Sequence, residues 1–321
     1  MPTQQINPLH KMFFLLVAFV YASLLCSFPM DGLADRDNYL EMARVSPLII
    51  ARHFGQGLQA LLANEPVWLA INSALGLLLA DDVVVRIIIF FSAFIVSYLL
   101  LINNPKNFFW LLLLLIFPQV MKNFVIHLRQ GLAIAVFMLG WFSSGNKKRV
   151  FFIGLTPFIH SSFFIIIAIL LGNWLLKKLR AAPDFKLLLY FTASLSLALL
   201  VTQVAALIGA RQANTTAVTE GATSGVGFLF WGAMLIILLL QGRQFIHKYS
   251  VAIGILIFYL ASYFFTPIAG RVFESGVLLV LLAVLATTGW RRIMALTVLL
   301  AFNMALMLMQ YSQPLMGFAA S

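Results

Sequence analysis

Residues 187–210 contain no charged side chain, and other stretches of roughly 18 residues or more share that property. No feature constrains the fold more. In lipid every backbone N–H and C=O must find its partner within the chain, so an uncharged apolar run of that length is a membrane helix. The composition agrees, with 62% hydrophobic and 10% charged residues among 321. The expectation is an all-α polytopic membrane protein forming a single integral membrane domain over residues 1–321, with about 9–11 transmembrane helices and short re-entrant or interfacial helices.

The formal charge of +11 would suggest nucleic acid in a soluble chain. Here basic residues are expected in cytoplasmic loops and against anionic headgroups, and no nucleic-acid partner is expected. A single cysteine, Cys26, excludes an intrachain disulfide and any paired-cysteine zinc or redox motif. Residues 12–28, "MFFLLVAFVYASLLCSF", look like a signal peptide but lack a small-residue cleavage site, so they read as an uncleaved first membrane helix.

Apolar segments fall near 12–30, 66–80, 83–102, 107–121, 123–143, 150–176, 185–209, 226–241, 249–267, 272–289 and 293–311. Segment 66–80 is short for a crossing, and "TPFIHSS" breaks 150–176, where Pro157 lacks a backbone donor. If only 150–176 crosses, the basic clusters from Lys177 onward fall outside. If neither crosses fully, all clusters fall inside, with about nine crossings. If both cross, there are about eleven, and Lys106 and the Lys147–Arg149 cluster are misplaced. The positive-inside rule favours the second arrangement. It puts outside a loop over 31–65, whose residues 42–62 suit an interfacial amphipathic helix, and a loop over 210–225. His160 would then lie at the tip of a re-entrant pair.

Five of the ten acidic residues lie just after the first helix: Asp31, Asp35, Asp37, Glu41 and Glu65. They read either as a solvated loop and helix start or as a polar patch offering a carboxylate base or sugar ligand. Arg129 opens an apolar helix, where it either snorkels to the interface or lines a cavity. Arginine suits phosphate because its planar fork donates paired hydrogen bonds and stays charged. Arg271 follows Pro267 and Gly270, with Glu274 in reach for an intrahelical pair. His160 reads as a helix-bonded histidine or as a general base. No metal-ligand spacing or phosphate-loop motif is present, so neither a metal nor a cofactor is expected.

The order of "DRDNYLEMAR", "NEPVWLAINSAL", "HLRQGLAIAVFML", "TPFIHSSFFIIIAIL" and "PIAGRVFES" resembles the EpsG family of Wzy-type polysaccharide polymerases. That resemblance implies a GT-C-like membrane enzyme of the bacterial inner membrane. Its active site would face the periplasm and polymerise oligosaccharide repeat units carried on undecaprenyl diphosphate; the chemistry needs no protein-bound metal if cations stabilise the leaving diphosphate, and direct displacement of it would invert the anomeric centre. Its partners would be that lipid-linked oligosaccharide and membrane lipids; a chain-length regulator is left open. The implied assignments are His160 or Asp37 for the proton, Arg129 and Arg271 for the diphosphate, and Glu65, Tyr39 and Gln130 for substrate contacts. The family often carries two tyrosines around its early aspartate, whereas "DRDNY" has one; Asp35 and Asp37 both fit, and Asp37 is favoured. The other readings are a transporter or flippase of a lipid-linked sugar, and a non-enzymatic membrane subunit.

Overall fold

Proline and glycine, more than charge, decide where the helices begin and end. The computed structural model describes residues 7–207, 225–266 and 268–319. Helix α1 (Pro8–Cys26) starts on a proline whose missing N–H costs nothing at a first turn, and the Asn7 side chain accepts the Leu9 N–H at 3.1 Å. Then follow α2 (Arg36–Gly55), α3 (Leu58–Ala63), α4 (Pro66–Gly76), α5 (Asp81–Asn103), α6 (Phe108–Leu115), α7 (Pro118–Val125), α8 (Leu128–Trp141) and α9 (Asn146–Leu155). A 3₁₀ turn, Thr156–Phe158, leads towards α10 (Phe163–Lys178). The chain continues as α11 (Pro183–Leu207), α12 (Val226–Leu239), α13 (Arg243–Lys248), α14 (Ser250–Ser262), α15 (Ile268–Leu285) and α16 (Gly289–Tyr311). The all-α membrane class expected from hydropathy is what the structure shows.

Among the described residues, five helices are long and apolar enough to cross a bilayer: α1, α5, the Pro183–Leu200 part of α11, α15, and Gly289–Gln310 of α16. Helix α1 shows why this surface belongs in lipid. It buries Phe14, Ala18, Ala22 and Leu25 while leaving Leu16 and Leu24 well exposed, an apolar face that water would not tolerate at this extent.

Several expected crossings are shorter or broken. Helix α4 has 11 residues and rises about 16 Å, too little to cross. The 107–121 segment was expected to turn at 121–123. Instead residues 118–125 are helical, and the breaks fall at Ile116–Phe117 and Ile126–His127. Phe117 is extended because it precedes Pro118, which disfavours helical backbone before it, and the pair α6–α7 bends by 71°. If that pair counts as one span, the described residues hold up to six helices or pairs of spanning length and apolarity, and the expected nine to eleven include shorter apolar helices as well. Helices α8, α12 and α14, with 14, 14 and 13 residues, are apolar and shorter. The expected loop 31–65 is mostly α2 and α3, and the expected loop 210–225 lies outside the described residues apart from Gly225.

Hydropathy marked no boundary within 1–321, but the chain groups into two compact units. The first comprises Met1–Arg52, Glu65–His160 and Met309–Ser321. In it α5 packs on α1 and α8, and α8 packs on α7 and α9. The tail joins by a single antiparallel bridge, Leu33 to Ala319, with the Ala34 N–H donating to the Phe318 carbonyl at 2.9 Å. The second comprises His53–Asn64 and Ser161–Leu308. Its centre is α14, buried at every residue except Leu260 and surrounded by α10, α11, α12 and α15. A helix apolar all round is a core helix, which is why α14 can be short.

Candidate functional site

Glu65 holds the first unit's polar centre. Pro66 begins α4, which makes residue 65 its N-cap, and the Glu65 carbonyl accepts the Leu69 N–H at 3.2 Å. The Glu65 backbone sits in the left-handed region, φ 59°, ψ 53°, directly before a proline. That conformation is unfavourable for a residue with a side chain and persists only where surrounding contacts over-determine it. The contacts are an ion pair with Arg129 and a hydrogen bond with His160, with the carboxylate only 7% exposed. Arg129 Nη1 donates to Glu65 Oε2 at 2.6 Å, and His160 Nδ1 lies 3.0 Å from Oε1.

Three local features bring these groups together. Arg129 is the second residue of α8, directly after the break at Ile126–His127. Gly131 allows α8 to approach α7 closely, since a Cβ there would collide with the Asn123 carbonyl oxygen. Gly76 does the same for α4 against the Ala43 carbonyl of α2. The Thr156–Phe158 turn packs on both α4 and α8, and the His160 N–H donates to the Thr156 carbonyl at 2.9 Å. His160 is therefore tied to the turn that touches both of its neighbours' helices.

Tyr39, on the second turn of α2, completes the group. It lies close enough to Arg129 to feel its charge, and its ring stands edge-on to Trp68, with centroids 5.7 Å apart. Burial pushes the Tyr39 phenol above its ordinary range, against the opposing pull of Arg129, so it remains a neutral hydroxyl. Because a carboxylate can only accept, His160 Nδ1 carries a proton towards Glu65, and Nε2 is the ring nitrogen not engaged by it. That Nε2 is buried and has no hydrogen-bond partner, as does Arg129 Nε.

Four residues named from the sequence thus meet: Tyr39, Glu65, Arg129 and His160. Asp37 does not join them. Asp37 lies exposed in the first turn of α2, and no hydrogen bond or ion pair links it to the group. A helix turns about 100° per residue, so Asp37 and Tyr39, two apart, face opposite ways. Asp35 is better placed than Asp37, with Oδ2 3.9 Å from His127 Nδ1. Gln130 is buried within α8. Arg271 belongs to the second unit, exposed in the first turn of α15, where its carbonyl accepts the Ser275 hydroxyl at 2.9 Å. Arg129 was expected to hold a diphosphate, yet one of its donors is already engaged by Glu65.

The sequence reading passed over Arg36. It is 1% exposed, donates from Nη2 to the Val125 carbonyl at 2.8 Å, and so ties the start of α2 to the end of α7. Its position between Asp35 and Asp37 disguised it as one charge in a solvated run. Trp68 carried a usable signal: a large aromatic four residues before Asn72 on the buried face of α4. Among the described residues no group of three His, Cys, Asp or Glu side chains is arranged to hold a metal ion. No family model matches this chain, and neither a curated protein nor a solved structure matches it.

Proposed function

We propose that this membrane protein is a glycosyltransferase of the Wzy type, extending a polysaccharide from undecaprenyl-diphosphate-linked repeat units at the periplasmic face of the bacterial inner membrane. One observation carries the reading: a buried carboxylate, Glu65, holds His160 Nδ1 at 3.0 Å while Nε2 is left buried and unbonded. That is the arrangement of an oriented general base. The sugar hydroxyl loses its proton to Nε2 as its oxygen bonds to the anomeric carbon. The anomeric carbon–oxygen bond to the diphosphate breaks, and the lipid diphosphate departs with the electron pair. Displacement in one step inverts the anomeric centre. Glu65 keeps the productive tautomer and balances the imidazolium that forms. Arg129 braces Glu65 through Nη1, and its guanidinium, 25% exposed, keeps further N–H donors for a phosphate oxygen.

The reading rests on first-unit residues alone. Its test is product analysis. Purified protein in liposomes, supplied with lipid-linked repeat units, should yield a ladder of lengthened chains. His160→Ala should slow lengthening by at least about 100-fold, and added imidazole should restore part of it. A folded wild-type protein that moves the lipid-linked sugar across the bilayer without lengthening it would be a transporter. A fully active His160→Ala protein would end the proposed role of the base.

A further inference from the structure

The second unit carries a cationic cluster that the proposed reaction does not use. Lys186 lies in the first turn of α11 and is fully buried, at 0% exposure. The hydrogen-bond partner of its ammonium is His247 Nδ1, at 3.4 Å, on the short helix α13. Lys177, exposed in the last turn of α10, is close enough to repel both. The acidic residue nearest in sequence, Asp184, is engaged elsewhere, accepting from Arg243 Nη2 at 2.6 Å. The cluster therefore gathers like charge without a carboxylate of its own. Burying an ammonium in that state costs several kcal/mol unless an anion offsets it.

The local chemistry specifies the anion. The Lys186 ammonium pushes the His247 imidazole below its ordinary range, which keeps it neutral. Nδ1 accepts from Lys186, so the proton of the neutral ring is on Nε2. His247 is exposed, as is Lys177. Both offer donors, and both suit an acceptor-only, singly charged oxyanion. The same helices carry exposed apolar side chains: Trp174, one turn before Lys177, and Leu175 on α10, at 61% and 49% exposure, and Phe185 and Leu188 on α11, at 54% and 60%. Lys178 caps the Trp174 ring, with Nζ 5.5 Å from its centroid. A tryptophan with a lysine over it beside leucines is the chemistry of a headgroup boundary, and a free inorganic anion would have no use for it.

We propose that Lys177, Lys186 and His247 form a headgroup site for an anionic phospholipid. The phosphate diester accepts from Lys177 and His247, and the acyl chains lie along Trp174, Leu175, Phe185 and Leu188. The inference is independent of the polymerase reading.

The experiment uses the full chain, purified from vesicles of phosphatidylcholine and phosphatidylglycerol in equal amounts, with retained lipid measured by mass spectrometry. The wild type should retain phosphatidylglycerol in preference to phosphatidylcholine. Lys186→Met should reduce that preference about tenfold; it removes a buried charge and keeps the volume, so folding is expected to survive. Lys177→Ala, at an exposed position, gives a second reading and should weaken retention in the same direction. Lys147→Ala, exposed on α9 of the other unit, makes the same change in net charge and should leave retention unaltered. Equal retention of both lipids by the wild type, or an equal loss in Lys147→Ala and Lys186→Met, overturns the proposal. If inorganic phosphate in detergent raises the thermal midpoint of the wild type as phosphatidylglycerol does, and fails to do so in Lys186→Met, the site takes the free anion and the lipid assignment is overturned.

Discussion

Glu65 separates chemistry from mere charge. Its carboxylate is shared by Arg129 and His160 under nearly complete burial, so removing it leaves a guanidinium without its counter-charge. Glu65→Gln should destabilise the protein by about 3–5 kcal/mol, read as a fall in the unfolding midpoint. The double variant Glu65→Gln, Arg129→Gln should recover part of that loss, because the uncompensated cation has gone with its partner. Tyr39→Phe removes the buried hydroxyl beside Arg129 and keeps the ring against Trp68, so a change of about 1 kcal/mol is expected. Asp37→Asn should change stability by less than about 0.5 kcal/mol and leave lengthening close to wild type, since its side chain is exposed and outside the group. A large loss of activity in a folded Asp37→Asn would return that residue to the site.

Among the elements, two glycines explain how α2, α4, α7 and α8 approach closely enough to hold that group. Gly131→Ala drives a methyl into the Asn123 carbonyl, so α7 and α8 must separate and Arg129 moves with the start of α8. It should cost about 1–3 kcal/mol and reduce lengthening. Gly232→Ala makes the opposite case: nothing lies within 4 Å of a Cβ there, and the residue is inside α12. That change should stabilise by up to about 1 kcal/mol through helix propensity alone. Thermal midpoints of the pair test whether close helix approach, rather than glycine content, is what the first unit needs. Much of this level was legible beforehand. The break at "TPFIHSS" and the shortness of the 66–80 segment follow from Pro157 and from length. The 71° bend at Phe117–Pro118 was missed because the apolar segment was carried through Pro118 to residue 121, although the chain turns polar beyond it at Gln119, Lys122 and Asn123.

For the whole molecule, the basic clusters around Lys147, Lys178, Lys248 and Arg291 mark helix ends, and the positive-inside rule assigns them to one face. In a Cys26→Ser background, single cysteines introduced at these positions should react with an impermeant thiol reagent only when the cytoplasmic side is opened to it. Any one that labels in sealed cells breaks the arrangement, and with it the outward placement of Glu65 and Arg129.

By itself the sequence determined the medium, the helical class and the residue types able to do chemistry. Hydropathy and the demand for backbone hydrogen bonding in lipid act locally, within the reach of one helix. The tertiary structure alone decided that Glu65 meets Arg129 and His160, which lie 64 and 95 positions away, that Arg36 is buried between two aspartates, and that Asp37 stands apart. Those facts depend on which helix faces touch and how closely glycines let them come, and no local period or hydropathy window encodes either.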